Sequence, residues 1–305
     1  MLSYAIAFIA FILFFSNPII KLFAPTSSLH SSRSPRPQLN ESLLALPSPN
    51  DTALSCNADA YSVHILSSAP LVLYIENFLT QDERSHLLDI SEPLYEPATV
   101  TNDGGATTHR DVTVRLSSVA LIPRTDPVRC IEARARALQG WRPDRWLERL
   151  RTQRYDAPGG HYAHHLDWSS NAGGWGRVGS MMVWVHGDGS AEGEGEGERL
   201  EGGGTEFPLL RLKGDGAQWC RFVECREDVH EDAEQQQQQQ NGRQQDESPD
   251  GGRMGVIFKP RPGNAVYWEN FRPDGSGYDE AWHAGLPVTK GVKVGLNIWT
   301  WGRID

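Results

Sequence analysis

Cysteine and methionine are scarce in this chain, four of each in 305 residues. Beyond Cys220/Cys225 there is no second close pair of Cys to complete a four-cysteine site, which argues against structural zinc. A basic stripe is also missing, and with it the electrostatic footprint of a nucleic-acid partner. The His-Glu-x-x-His helix of zinc hydrolases, the Gly-x-Ser-x-Gly elbow and the phosphate-cradling P-loop do not occur. The four cysteines, Cys56, Cys130, Cys220 and Cys225, allow three complete pairings. The close pair Cys220/Cys225 is the candidate disulfide if the compartment is oxidising, and four free thiols are the alternative.

Ten Trp and ten Phe, with 39% hydrophobic residues overall, can build a sizeable core. The length suits one large or two small domains. The net charge of −10 comes largely from two low-complexity runs. Residues 191–198 alternate Gly and Glu, and 227–252 are acidic around the Gln run at 235–240. Neither can bury a core, so inserts near 188–201 and 227–253 are expected to be disordered surface loops.

Residues 2–20 are apolar, with no charge before Lys21. A span of about 20 apolar residues crosses a bilayer as a helix. Residues 1–23 therefore read as a transmembrane signal-anchor or a cleaved signal peptide, and the lack of a small-x-small cleavage site favours the anchor. Lys21, Arg33 and Arg36 follow the span, against a luminal C-terminus by the positive-inside rule. The sequons Asn40-Glu-Ser42 and Asn50-Asp-Thr52, together with the cysteines, favour a luminal one. The expected location is the endoplasmic reticulum membrane with the catalytic domain luminal, or secretion after cleavage. Residues 24–60, rich in Ser, Pro and Asn, read as a flexible stalk, and 61–305 as the folded domain.

Residues 71–78 read as strand. Thr80 with Glu83 forms a capping box opening a helix over 81–90, and Asp126-Pro127 opens a second helix reaching Leu138. From residue 151 the pattern turns to strands, at 151–156, 162–167, 178–186, 255–258, 264–268 and 292–301, punctuated by Gly and Pro. The predicted class is α+β, mainly β, an antiparallel sandwich or jelly roll with supporting N-terminal helices.

The chemistry centres on His165-Leu166-Asp167. On extended backbone, residues two apart share a face, so imidazole and carboxylate project together as two metal ligands. His164 then faces the other way. A third ligand must come from elsewhere in the chain, and two histidines with one carboxylate mark non-haem Fe(II) oxygenases. The chain also carries Tyr162, Gly202-Gly-Gly-Thr-Glu-Phe-Pro208, His283-Ala-Gly-Leu-Pro-Val288 and Lys293, ten residues beyond His283. In order and spacing these resemble the catalytic domain of the prolyl 4-hydroxylases, within the Fe(II)/2-oxoglutarate dioxygenases.

The resemblance implies a double-stranded β-helix with Fe(II) held by His165, Asp167 and His283. It implies 2-oxoglutarate and O2 as cosubstrates and ascorbate as reductant. Lys293 would pair with the distal carboxylate of 2-oxoglutarate, with Tyr155 and Thr205 as further contacts. Tyr162 and Trp299 match positions near the metal and substrate channel, and Arg115 and Arg177 are substrate or sheet-edge candidates. The Tyr155-to-Tyr162 interval is one residue longer than the family's, through Pro158-Gly159-Gly160. The implied reaction hydroxylates a proline-containing peptide while 2-oxoglutarate becomes succinate and CO2. A dioxygenase acting on a small molecule or another amino acid, and a non-catalytic membrane-tethered binding protein, are the alternatives.

Overall fold

The strand Trp175–His186 shows how the chain divides its apolar residues. Met181, Val183 and Val185 enter one core cluster, whereas Met182 and Trp184 enter another. A two-residue side-chain period sends neighbours to opposite faces, so both faces of this strand must be covered. The structure is a computed structural model describing residues 41–48, 51–102, 107–168, 174–187, 199–212, 217–225 and 254–304. The chain divides between Arg36 and Pro37, and the first unit lies outside the described residues.

The larger sheet has nine strands. Its path runs Ser62–Ser68, Leu71–Glu76, Ala265–Glu269, Trp175–His186, Val292–Arg303, Arg151–Asp156, Ser118–Leu121 and Glu96–Pro97, and Trp146–Leu147 pairs onto Val292–Arg303. A five-stranded sheet, in the order Met254–Phe258, Thr205–Arg211, His283–Gly285, His161–His165 and Arg115–Leu116, covers its inner face. Phe207, Val256 and Phe258 from this smaller sheet pack against Tyr74, Trp184 and Trp268 from the larger. The pairings in both sheets are antiparallel, which gives a mostly β two-sheet sandwich.

Two helices, α1 (Gln81–Ser91) and α2 (Asp126–Leu138), cover the outer face of the larger sheet through Leu87, Val128, Ile131 and Ala135. The box at α1 forms as expected. Thr80 Oγ1 accepts from the Glu83 N–H at 3.2 Å, and Glu83 Oε2 accepts from the Thr80 N–H at 2.9 Å. The expected N-terminal helical lead-in does not hold. Strands Ser62–Ser68 and Leu71–Glu76 precede both helices, because Leu73 and Ile75 meet the helix side while Val72 and Tyr74 meet the smaller sheet. At α2 the N-cap is Thr125 rather than Asp126, and it makes no side-chain cap.

The stalk expected over 24–60 is corrected from residue 41 onward. Leu44 is buried against Trp175 and Trp301, and Ala45 is buried beside it. The Ala45 N–H donates to Leu147 O at 2.9 Å, and Arg124 and Arg136 donate to Leu46 O and Ala45 O. Cys56 is bonded to Cys130 on α2, and Cys220 to Cys225, so the free-thiol alternative falls. The stalk reading failed because Leu43-Leu44-Ala45-Leu46 is too short to show a period, yet it fills a seat between distant tryptophans.

The first insert ends earlier than 201. Leu200 is buried with Tyr155 and Val288, and Glu201–Gly202 pairs with Val288–Lys290. Residues 1–40 (the apolar run, most of the stalk and Asn40), Asn50, 188–198 and 226–253 lie outside the described residues. Among the described residues no helix is long and apolar enough to cross a membrane.

Closing a loop of 74 residues with Cys56–Cys130 constrains the unfolded chain. Replacing both by Ser should cost about 2–4 kcal/mol in denaturant unfolding, and limited proteolysis should begin to cut within 41–60. Unchanged stability and an uncut strap would mean that packing alone holds it.

Candidate metal and cosubstrate site

In the smaller sheet His165 lies directly opposite His283, a cross-strand pair with ring centroids 4.3 Å apart. Asp167 sits two residues past His165, just beyond the strand's end. Its Oδ1 is 3.6 Å from His165 Nε2 and its Oδ2 is 3.9 Å from His283 Nε2. One donor atom from each of the three residues lies within 4.8 Å of the others. The backbone sets the tautomers. His165 Nδ1 meets Ala163 O at 2.8 Å and His283 Nδ1 meets Ala281 O at 2.9 Å, so each Nδ1–H donates and each Nε2 keeps a lone pair for the centre.

Burial, then the neighbouring His165, lowers the pKa of His283 to about 4, which leaves it a neutral ligand at pH 7. Burial alone would raise Asp167. The His165 and His283 imidazoles and the Arg177 guanidinium around it instead hold its carboxyl well below the usual range. Two neutral imidazole nitrogens and a carboxylate facing one point are a donor set that fits Fe(II). His164 points away as expected, exposed and bonded to Glu206 at 2.8 Å.

The second half of the site comes from the strand Val292–Arg303. Val294, Leu296 and Ile298 face the helix-side core, which turns Lys293, Gly295, Asn297 and Trp299 toward the site. Lys293 lies opposite Tyr155, fully buried, with Nζ 4.9 Å from the centre of the Tyr155 ring. Nζ donates to Gly203 O at 2.6 Å, and among the described residues no carboxylate pairs with it. Burial lowers its pKa to about 8. A buried cation held by a carbonyl alone calls for an anion.

Groups that could receive one lie nearby. A Cβ on Gly285 would come within 3.8 Å of Nζ. Thr205 Oγ1 is buried without a partner on the wall of the cavity that also touches the triad, and Tyr155 Oη donates to Gln153 Oε1 at 2.7 Å. A dicarboxylate with one end at the triad and the other at Lys293 fits these groups. The extra residue before Tyr162 is absorbed in the turn after Asp156. Gly159 there has φ +91°, and a Cβ on Gly160 would strike Asp156 O at 2.6 Å. Tyr155 therefore keeps its place facing Lys293.

Residues 150–301 match the family model of the 2OG-Fe(II) oxygenase superfamily. The chain belongs to that superfamily. "Probable prolyl 4-hydroxylase 3" of Arabidopsis thaliana is 25% identical over 77% of this chain and 70% of its own length. "Prolyl 4-hydroxylase 2" of the same plant is 26% identical over 77% of this chain and 68% of its own length. Among solved structures, the viral collagen prolyl hydroxylase of Paramecium Bursaria Chlorella virus-1 in its 2OG complex aligns over 76% of this chain and 96% of its own, at 18% identity and a TM-score of 0.46.

In this oxygenase Trp299 stands beside the triad. Its indole N–H donates to Asp167 Oδ2 at 3.0 Å. The Arg177 guanidinium lies 4.0 Å above the indole ring. Arg177 Nε donates at 2.6 Å to Glu148, which is 4% exposed, and the Trp301 indole N–H donates to the same Glu148 oxygen at 2.6 Å. Tyr162 stacks on His165 with centroids 3.7 Å apart, and Arg115 covers its ring at 4.5 Å. Glu148, Gln153 and Asn297 join the site unforeseen. Alternation from Lys293 could have found Asn297, whereas Glu148 has no local signal.

Trp299→Phe should keep the packing but free one oxygen of Asp167, weakening Co(II) binding about tenfold and changing its visible absorption. Unchanged Co(II) affinity and spectrum would remove Trp299 from the ligand's support. With Mn(II) in the site, 2-oxoglutarate affinity should hold steady below pH 8, where the Lys293 ammonium is charged. Above about pH 8 the free protein loses that proton, and affinity should fall about tenfold per pH unit. A flat profile to pH 10 would separate Lys293 from the cosubstrate.

Proposed function

We propose that this oxygenase hydroxylates proline residues in peptides or proteins. The observation that carries the reading is the His165–Asp167–His283 triad with a buried Lys293, in a chain whose curated relatives are named prolyl 4-hydroxylases across 68–71% of their length. Bound iron would let O2 act as the oxidant with 2-oxoglutarate as co-reductant, one oxygen atom leaving in succinate, formed with CO2, and the other entering the substrate C–H bond as hydroxyl.

The chain's own residues aim that chemistry. Nε2 of His165, Nε2 of His283 and an Asp167 oxygen would hold the metal, and three protein ligands would leave positions for cosubstrates. Lys293 fixes the far carboxylate of 2-oxoglutarate, and Thr205 offers its unpaired hydroxyl along the way. Burial raises the pKa of Tyr162, so its phenol stays protonated at neutral pH, beside the triad and under Arg115. That is where a substrate proline would enter. Tyr155, Met182 and Trp268 supply the apolar part of the cavity wall.

Two disulfides support an oxidising compartment. With the apolar run at 2–20, they support an endoplasmic-reticulum enzyme anchored through its N-terminus with the catalytic domain luminal, using ascorbate to keep the iron ferrous. Membrane flotation and protease protection of the expressed full chain test this placement. A signal that stays soluble, or one cut by protease outside intact vesicles, would reject it.

The full chain with Fe(II), 2-oxoglutarate, ascorbate and a proline-rich peptide should release succinate and add one oxygen to a proline, read by mass spectrometry. His165→Ala and His283→Ala should each abolish turnover while the fold survives by circular dichroism. Succinate with an unmodified peptide would keep the oxygenase and point to a small-molecule or other amino-acid substrate. Full activity in either variant would overturn the triad.

A further inference from the structure

A cavity of about 730 Å³ opens away from the metal, where the end of α2 meets the larger sheet. Leu73 and Tyr267 line it, and both belong to the helix-side core, so the cavity lies across the sheet from the triad. None of the triad, Lys293 or Tyr155 contributes to its wall.

Its polar groups are mostly cationic. Arg142, Arg145, Arg272 and Arg303 line it, with Glu269 as the one carboxylate on the wall. Arg142 forms a two-point contact with Asp144 at 2.9 and 3.1 Å, and Arg272 reaches Glu280 at 3.2 Å. Four arginines thus line one cleft of a chain whose net charge is −10.

Arg145 is left with an unmet donor. Its Nη1 lies 3.7 Å from an Asp144 oxygen that already accepts from Arg142, and it is buried without a hydrogen-bond partner. Thr300, 1% exposed, also has an unpartnered hydroxyl, and both residues line one small adjoining pocket. Buried polar groups are rarely left unpaired without a reason. Burial, then the charge of Arg142, depresses the pKa of Arg145, and an arriving anion would relieve both.

We propose that this cleft binds a small organic anion. A carboxylate, sulfonate or phosphate head would sit against the Arg145 guanidinium, with an apolar or aromatic body along Tyr267 and Leu73. The site is separate from the metal pocket and independent of the substrate assigned there.

The probe is 8-anilinonaphthalene-1-sulfonate, an aromatic body carrying a sulfonate, titrated into the folded full chain and followed by fluorescence. One saturable site is expected, unaffected by saturating 2-oxoglutarate. Arg145→Met should weaken it about tenfold or more. Glu269→Gln removes the carboxylate on the wall and should tighten it about threefold, a gain that a misfolded protein would not produce. Absence of saturable binding, displacement by 2-oxoglutarate, or affinity unchanged in both variants would overturn the proposal.

Discussion

Burying the Lys293 ammonium between two sheets costs several kcal/mol unless an anion meets it, and much of the site is arranged around that demand. The register of the larger sheet sets Tyr155 directly across from it. The smaller sheet brings up Gly285 without a side chain, and Thr205 with a hydroxyl that has no other use. At the other end of the cavity, two imidazole nitrogens and a carboxylate offer their donor atoms to one point. A ligand with an acidic tail and a metal-binding head satisfies both ends, and neither end is comfortable without it.

Much of this was legible because it follows a period of two. His165 and Asp167 share a face, His164 takes the other, and Lys293 falls on the site side of a strand whose alternate residues, Val294, Leu296 and Ile298, are plainly core. The capping box at Thr80 and the end of α2 at Leu138 were readable from residues within one turn. What stayed hidden depends on pairings far apart in the chain. Glu148 meets Arg177 and Trp301, 29 and 153 residues away. Leu44 meets Trp175 and Trp301, and the Cys56–Cys130 partnership spans 74 residues. No local pattern announces such contacts, because each side looks like an ordinary surface or loop residue until the other arrives.

Gly295 shows the same strand working under two constraints. It stands on the site face between Lys293 and Asn297, where a Cβ would come 2.8 Å from Met182 Sδ. Met182 is itself part of the inter-sheet core and of the cavity wall. The position therefore stays bare so that the methionine can close the inner end of the cavity, and the core and the site share one boundary.

The three metal ligands are not held alike. His165 and His283 sit on paired strands, and each has its ring fixed by a carbonyl two residues back. Asp167 lies past the end of its strand and has no ladder to hold it. Its orientation must come from side chains, and the structure supplies a continuous set: the Trp299 indole on the carboxylate, Arg177 over the indole, buried Glu148 beneath Arg177, and Trp301 on Glu148. Trp301 in turn packs against Leu44 of the N-terminal strap, and Glu148 bridges Leu44 through the backbone. A segment that reads as a stalk thus buttresses the one ligand that the sheet leaves loose.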